Sequence, residues 1–279
     1  TPTNLHILKN EKNHKIFEIK FGELKYKFEY NLAWYKSKAH NINPQYNNST
    51  NTNMSPKNSY GKDTKLANFF SQKPYLQSKL TYTDNILFDE EGNAVMMDWE
   101  KVIMKAQAKT ICRNGGLVIN IGFGMGYIDT YIQEHNPTQH IIIEPHPDVW
   151  AKMESDGWLD KPNVICMFGK WQDFFDKFYA SGIKFDGIYY DTWDEEQEPF
   201  NAIVQNFVKP DGVYTFFNNH REIGQKMLPY STLMFSEFFD VEFESFEIGE
   251  IPQQHKDGRN YWDPKLTTYH NPILTLKKQ

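Results

Sequence analysis

Cysteine is nearly absent: two residues, Cys112 and Cys166, in a chain of 279. No CxxC pair and no His/Cys cluster at metal-ligand spacing occurs, which excludes a disulfide framework and a structural zinc and suits a reducing compartment. Arginine is almost as scarce, with Arg113, Arg221 and Arg259 against 27 lysines. No basic stripe forms, so direct nucleic-acid binding is not expected. The net charge of −6 instead allows attraction of a cationic substrate. No apolar run approaches the ~20 residues of a membrane helix, and "TPTNLHILKNEKNHK" has no apolar signal-peptide core. The expectation is a soluble protein of the cytoplasm, with the nucleus also open to it, and no membrane partner; the oligomeric state is left open. What the chain does have is 39% apolar and 16% aromatic residues. That is enough for a sizeable core despite a mean hydropathy of −0.67.

Three regions are expected. In residues 1–40, "KIFEIKFGELKYKFEYNLAWYK" alternates apolar and charged side chains around a Gly-Glu pair, which predicts a small β-hairpin. Residues 41–60 hold seven asparagines between Asn41 and Asn58 and little that can pack, as in a linker. From Gly61 to residue 279 a strand–helix rhythm takes over. "GLVINIGFGMGYIDTYIQEH", "HIIIEPHPDVWAKMESDGW", "NVICMFGKWQDFFDKFY" and "FDGIYYDTWDEE" each open with a continuous apolar run, and "VKPDGVYTFFNN" supplies a fifth strand. This predicts an α/β domain with a doubly wound, mostly parallel sheet. "FFDVEFESFEI" and "KLTTYHNPILTLKK" follow one another as strands and predict an antiparallel C-terminal pair at the sheet edge, where Pro272 is tolerated.

The first turn, "NIGFGMG", sets Gly122, Gly124 and Gly126 between strand and helix, where the chain must bend sharply and a ligand can approach the backbone. Glu144 closes the second strand 18 residues after Gly126, the place of an acceptor for paired ribose hydroxyls. Both NAD and S-adenosylmethionine carry such a ribose. GxGxG rather than GxGxxG, with Tyr at 127, and the reversed C-terminal strands favour the latter. A tight turn without ligand and a solvated strand end are the competing readings.

"NAVMMDWEKVIM", Asn93 to Met104, has methionines at apparently helical spacing and reads as an amphipathic helix with core methionines. A glutamate such as Glu100 most often sits on the solvated face of such a helix.

Five motifs change that weighting. "YLQSKLTYTDNILFDEEGNAVMMDWEKVIM", "VINIGFGMGYIDTYIQEH", "IIIEPHPDV", "GKWQD" and "FDGIYYDT" resemble, in order, the fungal-type protein arginine N-methyltransferases that modify the internal δ nitrogen of arginine. More distantly they resemble guanidinoacetate N-methyltransferase. The resemblance runs from about Tyr75 to Thr275, while residues 1–60 match nothing. It implies a class I, Rossmann-like methyltransferase fold using S-adenosyl-L-methionine and no metal. By position, it implies that Phe123, Gly124, Met125, Gly126, Tyr127 and Ile128 wrap the cofactor and that Glu144 holds the ribose. Pro145, His146, Lys170 and Trp171 would border the adenine. Met96 and Met104 would contact the cofactor, and Tyr82, with Tyr75 as the alternative, would cover it. Asp191 and Glu100 match the two carboxylates that grip the guanidino group, Asp191 beside the cofactor and Glu100 as proton acceptor. The acceptor implied is an arginine-containing protein, ribosomal proteins among the candidates. Two alternatives stay open: methylation of guanidinoacetate or free arginine, and a cofactor-binding scaffold without turnover. The stretches "NHRE" and "WDEEQEPF" depart from the family around the acceptor site.

Overall fold

The computed structural model describes residues 4–11, 14–21, 24–31, 75–193, 197–218, 235–252 and 262–278, the first three segments as backbone only. The linker 41–60 and the boundary at Gly61 lie outside the described residues. At the N-terminus, β1 (Asn4–Glu11), β2 (His14–Phe21) and β3 (Leu24–Asn31) form an antiparallel three-stranded sheet. The β2–β3 hairpin closes at Phe21↔Leu24. Strand β1 goes beyond the expected hairpin.

A second small antiparallel sheet comprises β4 (Thr81–Tyr82), β5 (Ile86–Phe88) and β6 (Ala94–Met97). Its existence corrects the helical reading of Asn93–Met104. The carboxylate of Asp89 accepts from the backbone and side-chain amides of Asn93, and Gly92 adopts φ 82°. These interactions make a hairpin turn that delivers Ala94–Met97 into register with β5. Met96 and Met97 consequently point to opposite faces, Met96 toward the main domain and Met97 into a separate cluster with Trp99 and Trp262. A 3-10 turn, Asp98–Glu100, follows, and only then helix α1 (Lys101–Ile111).

The main sheet contains β7 (Leu117–Ile121), β8 (Gln139–Glu144), β9 (Val164–Phe168), β10 (Phe185–Tyr190), β11 (Val208–Phe216), β12 (Phe239–Glu247) and β13 (Thr268–Leu276). Its spatial order is β12-β13-β11-β10-β7-β8-β9. Strands β7 to β11 pair in parallel, and β13 is antiparallel to both β11 and β12. Every residue of β7 and β9 is buried, which is why these strands read as unbroken apolar runs. Helices α1, α2 (Tyr127–Glu134) and α3 (Pro147–Ser155) cover one face, and α4 (Gln172–Ser181) covers the other. His146 caps α3 through Nδ1, which accepts from the Asp148 amide, and Pro147 occupies the first turn. Pro210-Asp211-Gly212 forms no separate turn: it bulges β11, so that the β10 partner jumps from Val208 to Val213. Pro272 stands one strand in from the edge, where the β11 ladder has already ended at Tyr214↔Leu274. The Thr215 hydroxyl donates to the Pro272 carbonyl, 2.5 Å away.

Strand order reverses between β7 and β10, so their C-terminal ends frame the crevice where open α/β sheets take their ligands.

Candidate active site

Gly122 follows β7 and Asp191 follows β10, and the two chains meet in that crevice. The Asp191 amide donates to the Ile121 carbonyl at 2.9 Å. A Cβ on Gly122, whose φ is +100°, would lie 1.8 Å from the Asp191 carbonyl oxygen. Only glycine permits this contact. Beyond it, a Cβ on Gly124 would strike the Met96 sulfur at 2.9 Å, and the Met125 amide points at the same sulfur, 3.2 Å away. Tyr82 reaches over the turn and donates its hydroxyl to the Gly124 carbonyl at 2.9 Å. Met96, Met104, Phe123 and Ile128 are buried in one cluster, with Tyr75, Tyr82, Met125 and Tyr127 packed against it.

Glu144 ends β8, almost fully buried. One carboxylate oxygen accepts from the Phe123 amide at 2.8 Å, the other from the His146 amide at 2.7 Å. Loss of water pushes Glu144 up to about 7, against the pull of these backbone donors. A carboxylate has roughly four acceptor sites, and the Gly124 amide also acts on this one, so room is left for a ribose hydroxyl. A glycine cradle with a buried acid beside it therefore fits a ribose-bearing cofactor.

His146 engages protein groups through both ring nitrogens. Its Nδ1 accepts from Asp148 and its Nε2 faces the carbonyls of Tyr75 and Ser78, both at 3.1 Å. Burial lowers its pKa, consistent with a neutral ring. It ties the Tyr75–Ser78 segment to the site, with the Tyr75 ring 4.8 Å from its own. Pro145 stays partly buried beside it. Lys170 and Trp171 are not brought in with the others. Lys170 is exposed, its amide bonded to Asp173. Trp171 lies edge-on to Phe175 and Phe200 in the apolar cluster on the other face of the sheet.

Asp191 is partly open to the crevice, yet desolvation pushes its carboxyl from 3.8 to about 7, with the Tyr189 hydroxyl pulling it back down. Glu100 is buried, and its Oε1 accepts from the Met97 amide at 2.7 Å, closing the turn that opens α1. The solvated-face reading of Glu100 is therefore wrong for this side chain. Asp191 and Glu100 both raise the pKa of the same two buried phenols, Tyr189 and Tyr269.

Several supporting residues had escaped the sequence reading. Asn120 donates to the Gly122 carbonyl at 2.7 Å and to Asp129 at 2.9 Å, and Asp129 meets His140 Nε2 at 3.1 Å. All three side chains are fully buried beneath the glycine turn. The signal was an asparagine in the apolar strand "LVINI" and an aspartate on the inner side of the next helix. Gln107 of α1 bonds the Phe216 carbonyl and the Tyr269 hydroxyl, fastening the helix behind Glu100 to β11 and β13. Among the described residues no His/Cys/Asp/Glu group could hold a metal.

This strand order, with β13 alone reversed and the crevice at the β7–β10 switch point, is that of the class I methyltransferases. Within that class, the sequence model of guanidinoacetate N-methyltransferase matches residues 75–258, and the chain belongs to that family. Relatives named protein arginine N-methyltransferase 2 resemble it more specifically. The Candida glabrata protein is 50% identical over 153 residues, covering 52% of this chain and 37% of that one. The Saccharomyces cerevisiae protein is 41% identical over 227 residues, covering 74% and 53%. This chain thus matches only about a third to a half of the length of such relatives. Spermidine synthase from Thermotoga maritima superposes with a TM-score of 0.49 at 16% identity, over 71% of this chain and 72% of its own, a likeness too distant to bear on chemistry.

Proposed function

We propose that the chain transfers the methyl group of S-adenosyl-L-methionine to a guanidino nitrogen of arginine in a protein, at the internal δ nitrogen. Ribosomal proteins are candidate acceptors. The observation that carries this reading is the pair of carboxylates, Asp191 at the switch point and Glu100 buried at the start of α1, both acting on Tyr189 and Tyr269. Two acids drawn out of water without a cation are costly. A guanidinium relieves that cost, because its planar fork of N–H donors matches carboxylates two at a time.

When bound, S-adenosylmethionine supplies an electrophilic methyl group. The residues fitted to hold it are Glu144 for the ribose hydroxyls, the turn from Phe123 to Gly126, Met96, Met104 and the Tyr82 cover. Asp191 grips the guanidinium on the cofactor side and orients it. Such alignment can contribute up to about 7–11 kcal/mol. The nitrogen lone pair is delocalised and poorly nucleophilic until a proton leaves. Glu100, on the other side, accepts that proton, a role commonly worth ~10²–10⁴-fold. The low cysteine content, two residues with no CxxC pair, supports a reducing compartment such as the cytosol.

The family's own name favours a second reading, methylation of a small guanidino compound. Mass spectrometry after incubation with free arginine, guanidinoacetate and an arginine-containing protein extract separates the two. Methylarginine in protein, with fragmentation placing the group on the δ nitrogen, is expected. Transfer only to a free compound refutes the proposal. Asp191→Asn and Glu100→Gln should each abolish transfer while cofactor binding persists.

A further inference from the structure

The side chain of Tyr189 is fully buried, and its hydroxyl lies 3.2 Å from the Met104 sulfur and 3.4 Å from Asp191 Oδ2. Residues two apart along a strand share a face. Tyr189 and Asp191 therefore both turn toward the cluster of Met96, Met104 and Phe123, while Tyr190 packs on the opposite face. A phenol carries one proton, and the two acceptors differ greatly in strength. A thioether accepts weakly, whereas an ionised carboxylate makes a strong charge-assisted bond. The proton turns to Asp191 when that group is charged and falls back on the sulfur when it is not.

We propose that Tyr189 is a positioning residue of the transfer site, whose hydroxyl aims and holds the Asp191 carboxylate for the guanidinium, with the Met104 sulfur as the alternative seat of its proton. The proposal rests on Asp191 being the guanidinium-binding group. The other titratable groups acting on this pair are Glu100 from the turn before α1, Tyr269 from β13 and Tyr75 from the 3-10 turn Tyr75–Gln77. All are acidic or neutral, so Tyr189 is the group whose hydrogen bond opposes the desolvation of Asp191.

The test is a carboxyl-carbon NMR titration of the full chain labelled at aspartate, with Asp191→Asn identifying the signal. Tyr189→Phe should raise the Asp191 midpoint by about one pH unit, the size expected for one hydrogen bond to a charged group. Met104→Leu removes the competing acceptor and should leave the midpoint at or below its original value. An unmoved or lowered midpoint in Tyr189→Phe, or a raised one in Met104→Leu, overturns the proposal. With an arginine-containing peptide as acceptor, Tyr189→Phe should shift the acid limb of kcat/KM upward by the same interval and spare the alkaline plateau. A loss equal at every pH would mean a purely structural role. Failure of the wild-type chain to methylate any peptide would count against the proposed function, while the NMR midpoint would still decide the role of Tyr189.

Discussion

Asp191→Asn should destroy transfer yet make the ligand-free protein more stable, by an amount that depends on pH. Burial raises the Asp191 carboxyl from 3.8 to about 7. Between those values the folded chain holds a proton that the unfolded chain releases, so stability falls as pH rises. The contribution is intact below the unfolded value, is lost progressively up to the folded value, and changes little above it. At one pH unit for each 1.36 kcal/mol, the full cost of the ionised group approaches about 4 kcal/mol, a ceiling that the partly open crevice reduces. Asparagine has no charge to desolvate, and its amide oxygen can still accept from Tyr189. The stability gap between variant and parent should therefore widen by about 2 kcal/mol from roughly pH 5.5 to about pH 8 and stay level beyond. In thermal melts that is a widening of ~4–8 °C for a chain of this size. A gap constant across the range, or a variant less stable than the parent at the alkaline end, would refute a desolvated carboxylate at this position.

Glu144→Ala removes the proposed acceptor for the ribose hydroxyls. Calorimetry with S-adenosylhomocysteine should show at least a roughly 100-fold weaker Kd, since each bond to a charged group is worth about 1.5–3 kcal/mol. Unchanged affinity would remove Glu144 from the site. Gly122→Ala sets a Cβ against the Asp191 carbonyl with the backbone at φ +100°. It should cost more than 3 kcal/mol in urea unfolding, roughly the upper range for single substitutions. Gly115→Ala, with φ +62° and open space around it, should cost only about 1 kcal/mol. Trp171→Phe should lower stability by about 1–3 kcal/mol through lost packing and leave S-adenosylhomocysteine affinity nearly unchanged. A large loss of affinity would return Trp171 to the adenine pocket.

Legibility followed how locally each feature is encoded. Strands β7 to β10 are buried on both faces, so they wrote themselves into the sequence as "LVINI", "HIIIE", "VICMF" and "FDGIYY". The glycine turn and Glu144 were readable because a fixed spacing links a strand end to the next strand end. The Ala94–Met97 strand was not. Four apolar residues followed by a true helix carry a helical-looking pattern, and what decides the matter is the Asp89–Asn93 turn that pairs them with Ile86–Phe88. For Trp171, the linear order "GKW" does not say which face of the sheet the next helix start addresses. Its ring fell on the side of Phe175 and Phe200.

Glu100 shows where local signals end. Nothing in "DWEK" distinguishes a solvated glutamate from one aimed inward. Its burial is produced by three remote elements: the hairpin that delivers Met97, the Gln107 bonds that fix α1 against β11 and β13, and the Trp99–Trp262 contact with ring centroids 5.5 Å apart. The bond from the Met97 amide gives Glu100 a structural duty as well as the proposed catalytic one. The two duties separate by substitution. Glutamine keeps an oxygen for the Met97 amide and loses only the charge, whereas alanine leaves that amide without its acceptor, at about 1–3 kcal/mol. If Glu100 serves chemistry, Glu100→Gln must abolish transfer in a chain that melts close to the parent. A glutamine variant that retains transfer while the alanine variant loses fold and transfer together would reduce Glu100 to the cap of a turn, and leave Asp191 as the sole carboxylate at the acceptor.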